Sequence, residues 1–382
     1  MTPDEIAQKM DGRLIDLGSG RSEALLPSPV VQNHAAFLSF LPDGSLGCAW
    51  FGGSLEGKSD ISIRFSHLKP GDDTWSPATT LTDDPAHSEQ NPVLFVKNDN
   101  IRLFHTSQVS GNQEGACVKT RTVTLSGDTI SAGPAQTLPL APGTFVRSAP
   151  VKRADGALLL PLFLCRSSQT GAKWNGSHDG AALAISDKDG QTWRVVEVPG
   201  SGGCVHMTIV SLGADRMVAF FRRRQADFVY RSVSEDNGES WSVPQATDVP
   251  NNNSSISAIR LKDGRIALLC NPVSAADYAD RRASLYDELG EEDGRAVSQG
   301  GITPIWGVPR APLALCFSSD EGRTFPERIV IEDSDGTCLS NDSTDGRNKE
   351  LSYPCLLEDE DGSLHMAFTF YRRAIKYVRL KL

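Results

Sequence analysis

Short apolar runs separated by polar tight turns recur along the whole chain. The first pair is Ala35 to Leu41 and Ser45 to Phe51, joined by Pro42-Asp43-Gly44. The unit returns as Pro92 to Val96 and Ile101 to Phe104 around Lys97-Asn98-Asp99-Asn100, then as Ala149 to Lys152 and Ala157 to Leu164 around Ala154-Asp155-Gly156. Three more turns stand at Gly213-Ala214-Asp215, Lys262-Asp263-Gly264 and Asp359-Glu360-Asp361-Gly362. Such Gly-, Asn- and Asp-rich turns between apolar runs are hairpin signals, because these residues tolerate the backbone that tight turns demand. Six hairpins spaced roughly 50 to 60 residues apart, with a longer gap before the last, predict an internally repeated all-β chain.

A second element follows most hairpins, a strand ending in a Ser-x-Asp-x-Gly-x-Thr-Trp pattern. It reads Ser186 to Trp193, Ser234 to Trp241 and Ser318 to Phe325, with a degenerate copy ending at Asp73-Thr74-Trp75. The acid, represented by Asp189 in the first copy, is expected to accept hydrogen bonds from its own turn while Gly takes positive φ and the aromatic fills the gap between sheets. These turns are expected to be structural. Six units of about four strands suit a six-bladed β-propeller of four-stranded antiparallel sheets, whose closure hides every sheet edge. Seven blades stay open if the charged insertion at about 274–309 conceals one. The last unit, Tyr353 to Leu382, supplies three strands, so Arg13 to Leu17 is expected to add the outer one and latch the ring. The whole chain, 1–382, then forms one domain, with the run Asp277 to Gly294 as a charged helix or loop acting as a lid.

Hydrophobic residues at 39% and charged residues at 23% agree with a globular protein. The net charge of −10 has the wrong sign for neutralising phosphates, so neither nucleic acid nor an anionic membrane is an expected partner. The first residues show no basic stretch leading into an apolar run, and the expected localisation is cytoplasmic. Eight cysteines stand singly, without CxxC pairs or zinc-finger spacing. Buried free thiols are expected, with Cys338 as the exposed exception, and no metal or cofactor.

The repeated Ser-x-Asp-x-Gly-x-Thr-Trp turns resemble the Asp-boxes (BNR repeats) of the sialidase (neuraminidase) superfamily. His34-Ala35-Ala36, Trp50 to Gly57, Asn91-Pro92-Val93-Leu94 and Ser352-Tyr353-Pro354 look like its bacterial and plant sialidase-like branch. In such propellers the hairpin turns and Asp-boxes share one rim, so strand 1 starts and strand 2 ends at the other. That other rim collects His34, Glu56, His87, Gln90, Asn91, His105, Arg147, Arg166, His206, Arg222, Arg223, Arg224, Asn253, Asn271, Arg310, Glu350, Tyr353, Tyr371 and Arg372. Acids, imidazoles, amides and guanidinium groups converging on one mouth are the mix expected of a site for a sugar with an acidic substituent.

Sialidases hold a substrate carboxylate with three arginines and use a Tyr nucleophile assisted by Glu, with an Asp acid in the first blade. The resemblance implies Tyr353 as nucleophile, with Arg222 or Arg223 and Arg310 as the second and third arginines. His34 stands in place of the first, and Glu56 lies near the place of the acid. Glu350, His87 and His105 join the catalytic candidates, while Asn91, Arg147, Arg166, His206, Asn271 and Arg372 join the binding ones. Alternation along a strand directs Arg222 and Arg224 one way and Arg223 the other. The imidazole of His34 could move a proton at neutral pH where an arginine cannot. The expected function is cleavage of an acidic oligosaccharide by a sialidase-like exo-glycosidase. Uronate β-elimination by His, Tyr and Arg is the close alternative, followed by a noncatalytic sugar-binding propeller and a protein-interaction scaffold.

Overall fold

The computed structural model describes the chain except residues 110, 128, 188–189, 191, 279–293, 337 and 340–348. Six antiparallel sheets follow one another as the blades of a β-propeller, with almost no helix beyond Pro3–Lys9. Blade 1 is Gln32–Phe40, Leu46–Gly53, Ser62–Leu68 and Thr79–Thr80, and blade 2 begins with Ser88–Lys97, Asn100–Gln108 and Cys117–Ser126. Blade 3 centres on Leu158–Leu164 and Gly180–Ser186, blade 4 on Cys204–Gly213 and Arg216–Arg223, and blade 5 on Ser257–Arg260, Ile266–Cys270 and Leu313–Ser318.

Blade 6 joins both ends of the chain. Leu351–Glu358, Leu364–Phe370 and Ala374–Leu380 are followed in space by Arg21–Leu25 and then Ile15–Gly18. The latch is therefore Arg21–Leu25, with Arg21 opposite Leu380 and Leu25 opposite Lys376, rather than Arg13–Leu17. The Gly18-Ser19-Gly20 turn folds the earlier segment back as a fifth strand, and only Ala24 and Leu25 bring buried apolar side chains to the seam.

The Asp-boxes fasten the outer turns. Asp320 accepts from Thr324 N (3.0 Å), Thr324 Oγ1 (2.8 Å), Arg323 N (3.0 Å) and Ser318 Oγ (2.7 Å). Asp236 repeats this with Ser240 and Ser234. In the first copy Asp187 takes the role, accepting from Thr192 N at 3.1 Å and Thr192 Oγ1 at 2.8 Å. Asp189 lies outside the described residues. Gly322, at φ +77, has no room for a side chain, since a Cβ would lie 2.2 Å from the Phe220 ring. Asp320→Ala is expected to cost about 1 to 3 kcal/mol in thermal or denaturant unfolding, with turnover unaffected. Lost turnover at unchanged stability would contradict the assignment of the two rims.

Opposite that rim the first strands share a deformation. Register shifts by a β-bulge at His34/Phe37, Gln90/Val93, Val205/Thr208 and Ser352/Cys355 in blades 1, 2, 4 and 6. The residues inside them, Ala35, Asn91, His206 and Tyr353, have φ of 61°, 51°, 52° and 52°. Positive φ is costly for Tyr and His, and bulges of this kind re-aim side chains beside functional sites.

The charged insertion leaves blade 5 after Cys270. Its described second half crosses the mouth side of blades 4 and 3, through Ile305 N to Arg224 O (2.7 Å), Ile302 N to Ser177 O (2.9 Å) and a bridge of Val297 with Lys173. Most of the expected lid helix, 279–293, lies outside the described residues. Cys338 is buried, contrary to its reading as the exposed thiol, and Cys117 is the cysteine with partial exposure. Among the described residues no helix is long and apolar enough to cross a membrane.

Candidate active site

Tyr353 stands at the focus of the bulged rim. Its hydroxyl accepts a hydrogen bond from Arg222 Nη1 at 2.8 Å, and three guanidinium groups surround its ring: Arg147 at 5.4 Å, Arg310 at 5.6 Å and Arg222 at 5.7 Å from the centroid. His34 packs on the ring at 4.1 Å and His206 meets it edge-on at 5.4 Å. Blades 1, 3, 4, 5 and 6 thus each send a side chain to one phenol.

The guanidinium groups have different tasks. Arg147 Nη2 donates to the carbonyls of Ala36, Tyr353 and Pro354, tying blades 1 and 6 together above an apolar axial cavity of about 540 Å³ that it helps to line. Arg310 and Arg372 hold Glu350: Arg310 Nη1 lies 2.7 Å from Oε1 and Arg372 Nε 3.1 Å from Oε2. The other arm of Arg372 pairs with Glu56. Arg222 donates through Nε to the neutral amide of Asn253 at 2.8 Å, and burial pushes its pKa down to about 10. Four guanidinium groups meet two carboxylates here, so two positive charges stay uncompensated among the described residues. A buried cation in that position favours an anionic ligand or an anionic phenol.

Both histidines are held neutral. Burial is the main cause for each, followed by repulsion from Arg372 at His34 and from Arg222 at His206, which pushes both pKa values well below the usual range. Thr369 Oγ1 accepts from Ala35 N (3.1 Å) and stands 2.8 Å from His34 Nδ1. Nδ1 is thus anchored by the Thr369 hydroxyl, and the buried Nε2 has no partner among the described residues. His34 therefore presents Nε2 to the pocket as its free ring nitrogen. His206 Nε2, 3.5 Å from Arg222 Nη1, faces a group that only donates and so carries the lone pair.

Other expected residues lie elsewhere. Arg223 turns outward as alternation requires, donating to Gly202 O at 2.6 Å with its guanidinium 4.0 Å from the Tyr230 ring centroid. Arg224 pairs with buried Asp179 at 2.6 Å, flanked by Trp174 and Trp306. Arg166 is half exposed and pairs with Glu197 on the outer strand of blade 3, away from the mouth. Asn271 clips the carbonyls of Arg310, Pro312 and Leu351. Asn91 is nearly buried in its bulge.

His105 and His87 belong to a separate network inside blade 2. His105 Nδ1 is 2.8 Å from Glu89 Oε2, Ser107 donates to Glu89 at 2.5 Å, and Lys119 bridges Glu89 (3.3 Å) and Asp84 (2.9 Å). His87, partly exposed, caps it through Asp84 at 3.0 Å. Glu89, Lys119, Asp84 and Thr369 escaped the sequence reading; an acid in the apolar first strand of blade 2 was the signal for Glu89. Among the described residues no group of three or more His, Cys, Asp or Glu is arranged to hold a metal.

Burial opposes ionisation of Glu89, but His105, Ser107 and Lys119 outweigh it and lower its pKa from 4.5 to about 2. A depressed carboxylate stabilises the fold above its unfolded pKa and loses that contribution as pH falls toward the folded value. Glu89→Gln is therefore expected to cost on the order of 2 to 3 kcal/mol at neutral pH. It should also flatten the dependence of stability on pH between 4.5 and about 2. An unchanged acid-unfolding curve would contradict the network.

Residues 44–366 match the family model for the BNR repeat-like domain. No curated protein matches the chain. Among solved structures, the Hadza microbial sialidase Hz136 aligns with TM-score 0.67 at 11% identity, over 92% of this chain and 66% of that one. The Trypanosoma rangeli sialidase in complex with the inhibitor DANA aligns with TM-score 0.63 at 14% identity, over 92% and 55%. A Dyadobacter fermentans protein of unknown function aligns with TM-score 0.67 at 15% identity, over 95% and 99%. The chain thus spans about two thirds of the first sialidase and just over half of the second, and at these identities the likeness is one of fold.

Proposed function

The chain belongs to the BNR repeat-like domain family, and on that premise we propose that it is a sialidase-like glycosidase that cleaves an oligosaccharide with Tyr353 as nucleophile. The observation carrying this reading is the Tyr353 hydroxyl, 2.8 Å from a buried guanidinium that has no carboxylate partner among the described residues. A Tyr nucleophile is the known exception to the two-carboxylate scheme of glycoside hydrolysis. The Tyr353 oxygen bonds to the anomeric carbon as the phenol proton leaves to solvent and the bond to the leaving oxygen breaks, while Arg222 stabilises the charge developing on the phenol. Glu56, partly exposed at the mouth, draws a proton from solvent and passes it to the leaving oxygen. It then takes a proton from the water that releases the sugar, and Tyr353 regains its proton from solvent. Glu350 carries no reacting atom, and His34 Nε2 hydrogen-bonds the bound sugar. The uncompensated charge at Arg222 supports an acidic substituent on that side of the substrate.

The same uncompensated cation beside a phenol and two neutral imidazoles also favours a second reading, uronate β-elimination. A panel of sialosides, uronate oligosaccharides and neutral oligosaccharides separates the two. New reducing ends without ultraviolet absorbance are expected. Absorbance of an unsaturated product would replace hydrolysis by elimination, and binding without product would leave a sugar-binding propeller.

A further inference from the structure

We propose that Glu350 is a built-in carboxylate that determines substrate specificity: by occupying the space between Arg310 and Arg372 it closes that arginine pair to an acidic sugar and confines the ligand's anionic group to the Arg222 side. This rests on the mouth being a sugar site. Both Glu350 oxygens are engaged, Oε1 by Arg310 Nη1 and Ser352 Oγ at 2.7 Å each and Oε2 by Arg372 Nε at 3.1 Å, and the residue is fully buried. A carboxylate between two guanidinium groups is the geometry an acidic sugar would itself present. Here the chain supplies it.

The backbone on either side holds the carboxylate in place. Arg310 N donates to Lys349 O at 2.9 Å, Leu351 N to Arg310 O at 2.7 Å and Tyr371 N to Glu350 O at 2.8 Å, so the arginine strand, the acid and the start of blade 6 are laced together. Asn271 Nδ2 adds hydrogen bonds to the carbonyls of Arg310 and Leu351. Burial opposes the charge on Glu350, but Arg310 and Arg372 hold its carboxyl well below the usual range, so it remains an anion throughout the neutral range. A second carboxylate entering beside it would meet like charge and arginines already paired. Arg222 offers the contrast, since its partners among the described residues are an amide, a phenol and a neutral imidazole.

The test uses formate as a carboxylate probe, and glucuronate and glucose as an acidic and a neutral sugar. In Glu350→Ala, formate should raise the depressed melting temperature where chloride at equal ionic strength does not. Adding Arg310→Met should abolish that rescue, and wild type should not respond. Should Glu350→Ala fail to fold, the isosteric Glu350→Gln keeps the packing and is read by calorimetry. In Glu350→Ala glucuronate should bind at least about 10-fold tighter than to wild type, with glucose unchanged; in Glu350→Gln, which still fills the cradle, glucuronate should gain a smaller factor from the loss of like charge alone. No formate rescue in folded Glu350→Ala, or an acid-to-neutral preference equal to that of wild type in either variant, overturns the proposal. Failure of wild type and variants to bind either sugar would instead overturn the sugar-site reading, and the formate response alone would then decide whether Glu350 fills a carboxylate cradle.

Discussion

Tyr353→Phe is expected to lower kcat by at least about 10³-fold on any substrate that wild type cleaves, with the melting temperature close to that of wild type. The substitution removes one oxygen and keeps the ring that His34, His206, Arg147 and Arg310 pack against. What it deletes is the atom that Arg222 reaches. Binding of product or substrate should persist, because the donors on the mouth remain. A Phe variant with near-normal turnover would assign the nucleophile elsewhere.

Arg222→Met should lower kcat/KM by about 10² to 10³, the loss typical of removing one preorganised donor from a developing negative charge. The expected pattern is a larger loss for acidic than for neutral substrates, because the same guanidinium is the buried cation without a carboxylate partner among the described residues. Arg223→Met is the internal control. Its side chain leaves the strand on the opposite face, toward Tyr230, so turnover should stay within about 2-fold. Equal losses in both variants would contradict the division between inward and outward arginines.

The ring was legible because its signals are local. Asp-Gly turns and Ser-x-Asp-x-Gly boxes recur within a few residues of the strands they join, and counting them gave six blades. The latch was misplaced because Ile15–Gly18 and Arg21–Leu25 both look like strands, and only burial against Lys376 to Leu380 decides which one seals the ring. Asp187 replaced the box acid for a similar reason: a Lys holds the usual position in that copy, and its neighbour reaches the same Thr192 donors.

In the site, period-two alternation separated Arg222 from Arg223, since that rule needs only the strand. It could not foresee that Arg166 would pair with Glu197 across the blade, nor that Glu350, Arg310 and Arg372 would close on one another. Those pairings join separate blades or strands and depend on side-chain reach. The bulges were half legible. Asn91 is a residue that accepts positive φ readily, whereas His206 and Tyr353 adopt it only because the surrounding blade holds them there.

The most direct test of the central claim is mass spectrometry of enzyme quenched during turnover of an oligosaccharide substrate, followed by peptide mapping. A glycosyl group bound to the peptide carrying Tyr353, present in wild type and missing in Tyr353→Phe, is the predicted result. Steady turnover with no adduct, together with an unsaturated product, would contradict it.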